Sequence, residues 1–481
     1  MSKQPIFVIA DDLTGAADAA NYFRTPSHRV RVTFNPRVPF MFSLGQDVVQ
    51  VFDAESRGID EATAVQRVFT AGHQLAATLQ GPFLVYKKID STLRGHIGSE
   101  IEALLRGLGR RIAVVAPAFP ANGRSVRDGV LQVNGVPISQ TAFAKDPRHP
   151  VTEDKAADLI QTTTRLPVVH LIGAIIKQGN TAVTKFLDGL TEEKVIVVAD
   201  AETDTDLAII AATIAEHPEV LPCGSAGLAK PLAALWIKSE PDPDHLTEVG
   251  PQDAVLSSLT DVKRSSLTAD TGSSLTDAEK PSPTACSRVL IAVGSANPTA
   301  HMQLAHAASA LGVEVVEMQP VRLASAAHHH DEMKQAKEHL THAADHIVGL
   351  SLSEERALRE PDVPGSFESD LADVIFHWVQ TVQGSDESSR IGFVATGGDT
   401  ALALCEALSA SAIWPEGEVM SGMPWSLMET PHGYIPLISK AGGFGDADAL
   451  QKAAQFLNQP ISRCRTVNPQ VTLNQQVTMN S

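Results

Sequence analysis

The chain has 481 residues and a formal charge of −18, from 38 Lys plus Arg against 56 Asp plus Glu. That balance excludes a protein that tracks a nucleic-acid backbone, which needs a basic face. With 43% hydrophobic and 20% charged residues, the chain can fill packed cores, about two to three domains of ~150 residues each.

Aromatic residues make up only 5%, while Ala, Val, Ile and Leu are abundant, the balance of layered α/β domains rather than an all-β sandwich. Cys223, Cys286, Cys405 and Cys464 stand far apart without a C-x-x-C pair, which fits neither a zinc ribbon nor a disulfide framework. The first apolar run, Ile6 to Ala10, ends in Asp11-Asp12, too short and too soon charged for a signal peptide or a membrane span. The expected setting is cytoplasmic, with no membrane partner.

Short apolar runs alternate with helix-period segments, the pattern of buried parallel strands joined by crossover helices. In chain order they are Ile6 to Ala10, Asp47 to Phe52, Phe83 to Tyr86, Ile112 to Ala116 and Val195 to Ala199. After a segment rich in Pro, Asp, Ser and Thr, Glu240 to Ser287, come Val289 to Val293, Val313 to Val316, Ile391 to Ala395 and Ile435 to Ser439. Within that segment Ser-Ser-Leu-Thr begins at Ser257, Ser265 and Ser273, a period too short for a solenoid unit and the mark of a duplicated flexible tract. The expected fold is α/β: two open Rossmann-like domains facing a cleft, residues 1–240 and 288–465. A long flexible linker over 241–287 joins them, and a polar tail covers 466–481. In such sheets ligands sit beyond the carboxyl ends of the strands.

The first strand runs into Asp11-Asp12-Leu13-Thr14-Gly15 and a helix over Ala16 to Phe23. Two carboxylates there suit hydroxyl recognition, metal binding or proton abstraction, unless one of them only caps the helix. After Phe83 to Tyr86 come Lys87-Lys88-Ile89-Asp90-Ser91-Thr92-Leu93-Arg94-Gly95. Lys88 and Arg94 match a ligand carboxylate, and Asp90, Ser91 and Thr92 match sugar hydroxyls; the alternative is a capped helix with solvated cations. Asp53, Glu55, Ser56 and Arg57 follow another strand and offer Arg57 as a further clamp. Ala116 to Arg124 reads as a Pro/Gly-fixed loop and Gly129 to Pro137 as a hairpin around Asn134-Gly135. Cys223 to Leu228 is a small-residue turn into a helix, with packing as good a reason for it as ligand approach.

In the second half, three strands lead into glycine turns: Gly294-Ser295-Ala296-Asn297, Thr396-Gly397-Gly398-Asp399-Thr400 and Lys440-Ala441-Gly442-Gly443-Phe444-Gly445-Asp446. Such turns point backbone N–H groups and a helix dipole at an anion, and three in one domain favour a nucleotide or polyphosphate. The chain lacks any Gly-Lys dipeptide, hence a Walker A loop, and lacks G-x-G-x-x-G after a strand. His328-His329-His330 cannot share one helix face and reads as a solvated loop or helix end rather than a metal site.

Taken in order, Asp11 to Gly15, Lys88 to Gly95, the loop and hairpin over Pro117 to Thr141, Gly224 to Leu228, Gly294-Ser295, Thr396 to Thr400 and Lys440 to Gly445 resemble the four-carbon acid sugar kinases. The resemblance covers the chain apart from the linker and tail. It implies ATP-dependent phosphorylation, with Mg²⁺, of a threonate, erythronate or 3-oxo-tetronate at the terminal hydroxyl. It also implies a sugar-acid shell of Asp12, Arg57, Lys88, Asp90, Ser91, Thr92 and Arg94. The implied ATP shell is Ser295, Gly397, Gly398, Asp399, Thr400 and Gly442. Asn297 stands where the family often has a second serine. For the proton-accepting carboxylate the expectation is Asp12 first and Asp90 second; Asp399 or Asp446 would help hold the metal or cap a helix, and the metal ligands stay unassigned. Partners are then the sugar acid and ATP, with no nucleic acid and the oligomeric state open, a homo-oligomer included. Two other classes remain: an NAD-dependent hydroxy-acid dehydrogenase, disfavoured by the missing fingerprint, and a non-catalytic sugar-acid binding protein.

Overall fold

The computed structural model describes residues 4–34, 39–42, 45–145, 150–237, 285–343, 346–353, 358–385, 390–420 and 422–459. The expected linker up to residue 284, with its Ser-Ser-Leu-Thr repeats, and the tail over 466–481 lie outside the described residues. Each apolar run named above forms a strand, shifted at its ends by a residue or two.

The first half begins with β1 (Ile6–Ala10), α1 (Leu13–Tyr22), β2 (Arg29–Thr33), β3 (Val48–Asp53), α2 (Glu61–Thr78), β4 (Leu84–Lys88), α3 (Ile97–Leu108) and β5 (Ile112–Ala116). A small antiparallel unit follows: β6 (Arg124–Arg127), β7 (Val130–Val133) and β8 (Val136–Pro137). Then come α4 (Ala156–Gln161), β9 (Val168–Leu171), α5 (Gly173–Ile176), α6 (Asn180–Asp188), β10 (Val195–Ala199), α7 (Asp204–Glu216), β11 (Val220–Gly224) and α8 (Ala226–Trp236). The second half holds β12 (Arg288–Val293), α9 (Pro298–Leu311), β13 (Glu314–Met318), α10 (Pro320–Leu323), α11 (His329–His342), β14 (Ile347–Leu352), α12 (Phe367–Ser385) and β15 (Ile391–Thr396). It ends with α13 (Gly398–Ala407), β16 (Ala412–Met420), β17 (Met423–Thr430), β18 (Gly433–Lys440) and α14 (Ala449–Asn458).

Eight strands of the first half form a parallel sheet in the order β2-β3-β1-β4-β11-β5-β10-β9, and five of the second run parallel as β13-β14-β12-β15-β18. Crossover helices cover both faces, so the strands are apolar on both sides. In β1, Ile6, Val8 and Ala10 face one core while Phe7 and Ile9 face another, the two-residue alternation of a strand.

The two sheets are joined. From β18 the chain's antiparallel meander passes through β17 to β16, and β16 pairs antiparallel with β2 at Ile413 and Val32. The result is one sheet of fifteen strands among the described residues. On one face the core runs on across the joint, from Val8 and Val32 to Ile413 and Phe393. The junction is stitched by charge as well: Arg24 Nη2 lies 3.2 Å from Glu416 Oε2, and the Arg29 and Arg31 guanidinia stand 5.5 and 5.9 Å from the Trp414 ring. Two α/β domains were expected, and two are present, but they share a sheet and part of a core. The antiparallel joint makes the two parallel sets run in opposite senses, yet α1 and α13, which follow β1 and β15, touch.

Candidate active site

Asp12 caps α1, its Oδ1 accepting the Gly15 N–H at 3.0 Å. The same carboxylate accepts from both terminal nitrogens of Arg57, Nη1 to Oδ2 at 3.0 Å and Nη2 to Oδ1 at 2.9 Å. Arg57 Nε donates to Asp11 Oδ2 at 2.9 Å. The turn after β3 carries Arg57 to this position, because the Ser56 and Arg57 amides both donate to the Asp11 carbonyl, at 3.1 and 3.2 Å. Asp12 is thus a cap and an ion-pair partner at once, and Arg57 spans two carboxylates of its own chain. Burial raises the Asp12 pKa more than Arg57 lowers it, with Asp11 adding to the rise. For Asp11 burial also pushes upward, but Arg57, Lys87 and Lys88 together hold the carboxyl below its ordinary value.

Strand alternation separates the two lysines that end β4. Lys87 turns to α3 and pairs with Glu100 at 2.8 Å, both side chains fully buried. Lys88 turns to the other face and is buried beside Asp12: Lys88 Nζ and Asp12 Oδ1 each lie 2.5 Å from the point a Cβ on Gly15 would occupy. Asp90 is gripped by Arg94, Nε to Oδ2 at 2.8 Å and Nη2 to Oδ1 at 3.2 Å, and also accepts from the Thr92 hydroxyl. Burial would raise the Asp90 pKa, but Arg94 and Arg57 outweigh it and hold the carboxyl well below the usual carboxylate range. Ser91 and Thr92 are buried beside it. Neither caps α3, whose preceding residue is His96.

The glycine turns of the second half assemble on one another. Gly397 precedes α13, and a Cβ on Gly398 would lie 2.9 Å from Asp12 Oδ2 and 3.4 Å from Thr14 Oγ1. Only glycine lets the start of this helix approach the acidic turn of the first half so closely. Asp399 and Thr400 occupy the first turn of α13. At Gly442 a Cβ would overlap Ser295 Oγ, so the first and third glycine turns are in contact too. Asn297 caps α9, its Oδ1 accepting the Thr299 N–H at 2.9 Å. A cleft of about 750 Å³ opens beside the first turn of α9, lined by Thr299, His301, Met302, Ser351 and Ser353.

Other features settle more simply. The turn over Cys223 to Leu228 packs, with Ser225 capping α8 and donating to the Ala118 carbonyl at 2.8 Å. His328 precedes α11 and His329 faces Asp370 at 3.0 Å. The hairpin around Asn134-Gly135 joins β7 to β8, both turn residues having positive φ. Among the described residues no cluster of three or more His, Cys, Asp or Glu side chains is placed to hold a metal ion, and no helix is long and apolar enough to cross a membrane.

Three site features were not singled out from the sequence. Thr14 Oγ1 is buried beside Gly398 without a hydrogen bond among the described residues; its place in the Asp11 to Gly15 motif was its only signal. Arg124 reaches from the Pro/Gly loop to the third glycine turn, its guanidinium 4.8 Å from the centre of the Phe444 ring. Its Nε and the Asn122 side-chain Nδ2 are buried without partners among the described residues. Lys440 is buried under the same turn.

Comparison with known proteins bears on this arrangement. Residues 6–232 match the model of a sugar-binding N-terminal domain, and residues 290–450 that of a nucleotide-binding C-terminal domain. A D-threonate kinase of Cupriavidus necator is 30% identical over 461 residues, covering 94% of this chain and 98% of the relative. A D-erythronate kinase of Heliobacterium modesticaldum is 28% identical over 476 residues, 95% of this chain and 98% of the relative. A solved Haemophilus influenzae protein shares the fold, with TM-score 0.61 at 19% identity over 94% of this chain and 100% of that one. With sugar-binding and nucleotide-binding halves in contact at Asp12 and Gly398, and full-length kinase relatives, the chain belongs to the four-carbon acid sugar kinase family.

Proposed function

We propose that the protein transfers the γ-phosphoryl group of ATP to the terminal hydroxyl of a four-carbon sugar acid, a threonate, erythronate or 3-oxo-tetronate, yielding the 4-phospho acid. The observation that carries this reading is the approach of the α13 amino terminus to Asp12. It sets an anion-binding backbone against a carboxylate that can take a proton, the two things phosphoryl transfer to an alcohol needs. ATP lies along the three glycine turns, Ser295, Gly397 to Thr400 and Gly442, with its base end toward the cleft beside α9. The sugar acid lies over Asp12, Lys88 and Asp90 to Arg94. Arg94, the more exposed cation, meets the carboxylate, and Lys88 offsets charge on the phosphoryl group. Arg57 fixes the Asp11 and Asp12 carboxylates.

Asp12 is the better base of the two candidates. Accepting an alcohol proton favours a carboxylate with a raised pKa, and burial raises that of Asp12 whereas Arg94 and Arg57 leave Asp90 well below the ordinary range. Mg²⁺, for which the described residues offer no carboxylate cage, would be held by the nucleotide phosphates and by one or two carboxylates, Asp399 in the first turn of α13 among them, and would neutralise phosphate charge. A dehydrogenase and a non-catalytic binder fit less well, since the relatives are kinases throughout their length. The test is ADP release over D- and L-threonate, D- and L-erythronate and the 3-oxo-tetronates, with NAD reduction measured in parallel. ADP release with one of these acids supports the reading; NAD reduction without it refutes it.

A further inference from the structure

Lys440 ends β18, fully buried, opposite Thr396 of β15. Among the described residues its ammonium has no carboxylate partner. Nζ donates to three main-chain carbonyls of the turn that follows, Ala441 at 2.9 Å, Gly442 at 3.0 Å and Phe444 at 2.9 Å. Gln303 of α9, also fully buried, holds the next stretch through its Nε2, which reaches the Phe444, Gly445 and Asp446 carbonyls at 2.9, 2.9 and 2.8 Å. The third glycine turn is therefore wound around two internal donors.

Peptide geometry turns this into a statement about the outer surface. In a trans peptide the N–H points opposite to the C=O, and the described chain contains no cis peptide. Drawing the Ala441, Gly442 and Phe444 carbonyls inward directs the amides of Gly442, Gly443 and Gly445 outward. Gly442 faces Ser295 of the first glycine turn. Outward amides on successive small residues form a nest that binds anions.

We propose that Lys440 is a positioning residue for the nucleotide: by gathering three carbonyls beneath the turn it presents the glycine amides as a phosphate cradle, and it does so only as an ammonium. This rests on the assignment of ATP to the glycine turns. An ammonium has three N–H donors for three carbonyls, whereas a neutral amine has two and would turn its lone pair to the third. Asp399 of α13, Asp446 beyond the turn and Arg124 above the Phe444 ring leave the ionisation of Lys440 unmoved. Burial alone lowers its pKa, to about 7. The cradle is then intact below neutrality and loosens above it.

The experiment is calorimetric titration with MgADP at pH 6.0, 7.0 and 8.5 on the wild type and Lys440→Met, with sugar-acid binding to the same samples as the measure of folding. The expected result is a Kd at least tenfold weaker for the variant at pH 6.0, converging on the wild type by pH 8.5, with sugar-acid binding retained. In the wild type with ¹³Cε-labelled lysine, the Lys440 resonance should titrate near neutrality and MgADP should move its midpoint upward, a readout that needs no variant. Equal MgADP affinity of the two proteins at all three pH values, or a midpoint unmoved by MgADP, overturns the proposal. A wild type that binds no MgADP at any pH overturns the nucleotide assignment itself.

Discussion

At the scale of single residues, the arrangement separates side chains that the sequence presents as equals. Asp11 and Asp12 are adjacent, yet Asp12 alone meets the α13 amino terminus. Asparagine caps helices about as well as aspartate, so Asp12→Asn removes charge and basicity while keeping α1 closed. We expect kcat to fall by about 10²–10⁴-fold with KM for the sugar acid within a few-fold, as steady-state kinetics would show. A raised KM at unchanged kcat would make Asp12 a binding group only. Lys87 and Lys88 divide in the same way. Lys87→Met leaves Glu100 as an unpaired buried charge and should cost about 3–5 kcal/mol in urea unfolding. The double variant with Glu100→Leu should recover most of that loss; no recovery would mean that the cost is one of packing. Strand alternation made this split legible in principle. What the sequence could not show is that Arg57 and Arg94, which look like free ligand clamps, each engage carboxylates of the protein: Arg57 reaches Asp12 because turns from two strands converge, and Arg94 folds back on Asp90 four residues earlier in its own turn.

At the scale of elements, the strands with unbroken apolar runs and the three glycine turns were readable from the sequence. β2, β6, β9, β11, β14, β16 and β17 were not among the runs named, and for β16 and β11 the reason is identifiable. β16 carries Pro415, Glu416, Gly417 and Glu418 within its span, a composition that reads as a loop. Its pairing with β17 accommodates them with register shifts between Pro415 and Gly417 and between Glu418 and Met420. β11 contains Pro222, tolerated because pairing with β4 begins only at Cys223. Among the glycine turns, contact between the first and third supplies a direct probe. Gly442→Ala drives a methyl into Ser295 Oγ, and we expect a rise of roughly tenfold or more in KM for ATP, about 1.4 kcal/mol or more, with sugar-acid affinity unchanged. Unchanged KM for ATP would show that the two turns need not touch for the nucleotide to bind.

At the scale of the whole molecule, the shared sheet makes the domain junction part of the fold. Several carboxyls across it are held partly protonated. Burial, with Glu406 and Asp399 of the other domain, pushes Glu55 to about 7, and burial with Asp18 of α1 pushes Glu418 of β16 to about 7. Burial also lifts Asp18 to about 6. These three groups therefore bind more protons in the folded protein than in the unfolded chain between about pH 4 and pH 7, and their contribution to stability declines as pH rises through that window, outweighing the opposite contribution of the single Lys440 near neutrality. Thermal unfolding should give a higher Tm at pH 6 than at pH 8, and Glu418→Gln should flatten the difference. A Tm that rises from pH 6 to pH 8 would contradict it. The charge of −18 argues against a nucleic-acid partner; under the proposed function Lys88, Arg94 and Arg124, the last two both near Asp90, would give the anionic substrates their place.

The proposed reaction moves a phosphoryl group from ATP to the far end of a four-carbon acid at this junction. The most direct measurement is ³¹P NMR of the product formed from ATP and the best acid in the ADP-release assay. The expected spectrum has one phosphomonoester resonance, coupled to the terminal CH₂ protons and growing about 10²–10⁴-fold more slowly when Asp12→Asn replaces the wild type. Release of inorganic phosphate alone, or a phosphoester on an internal hydroxyl, would contradict it.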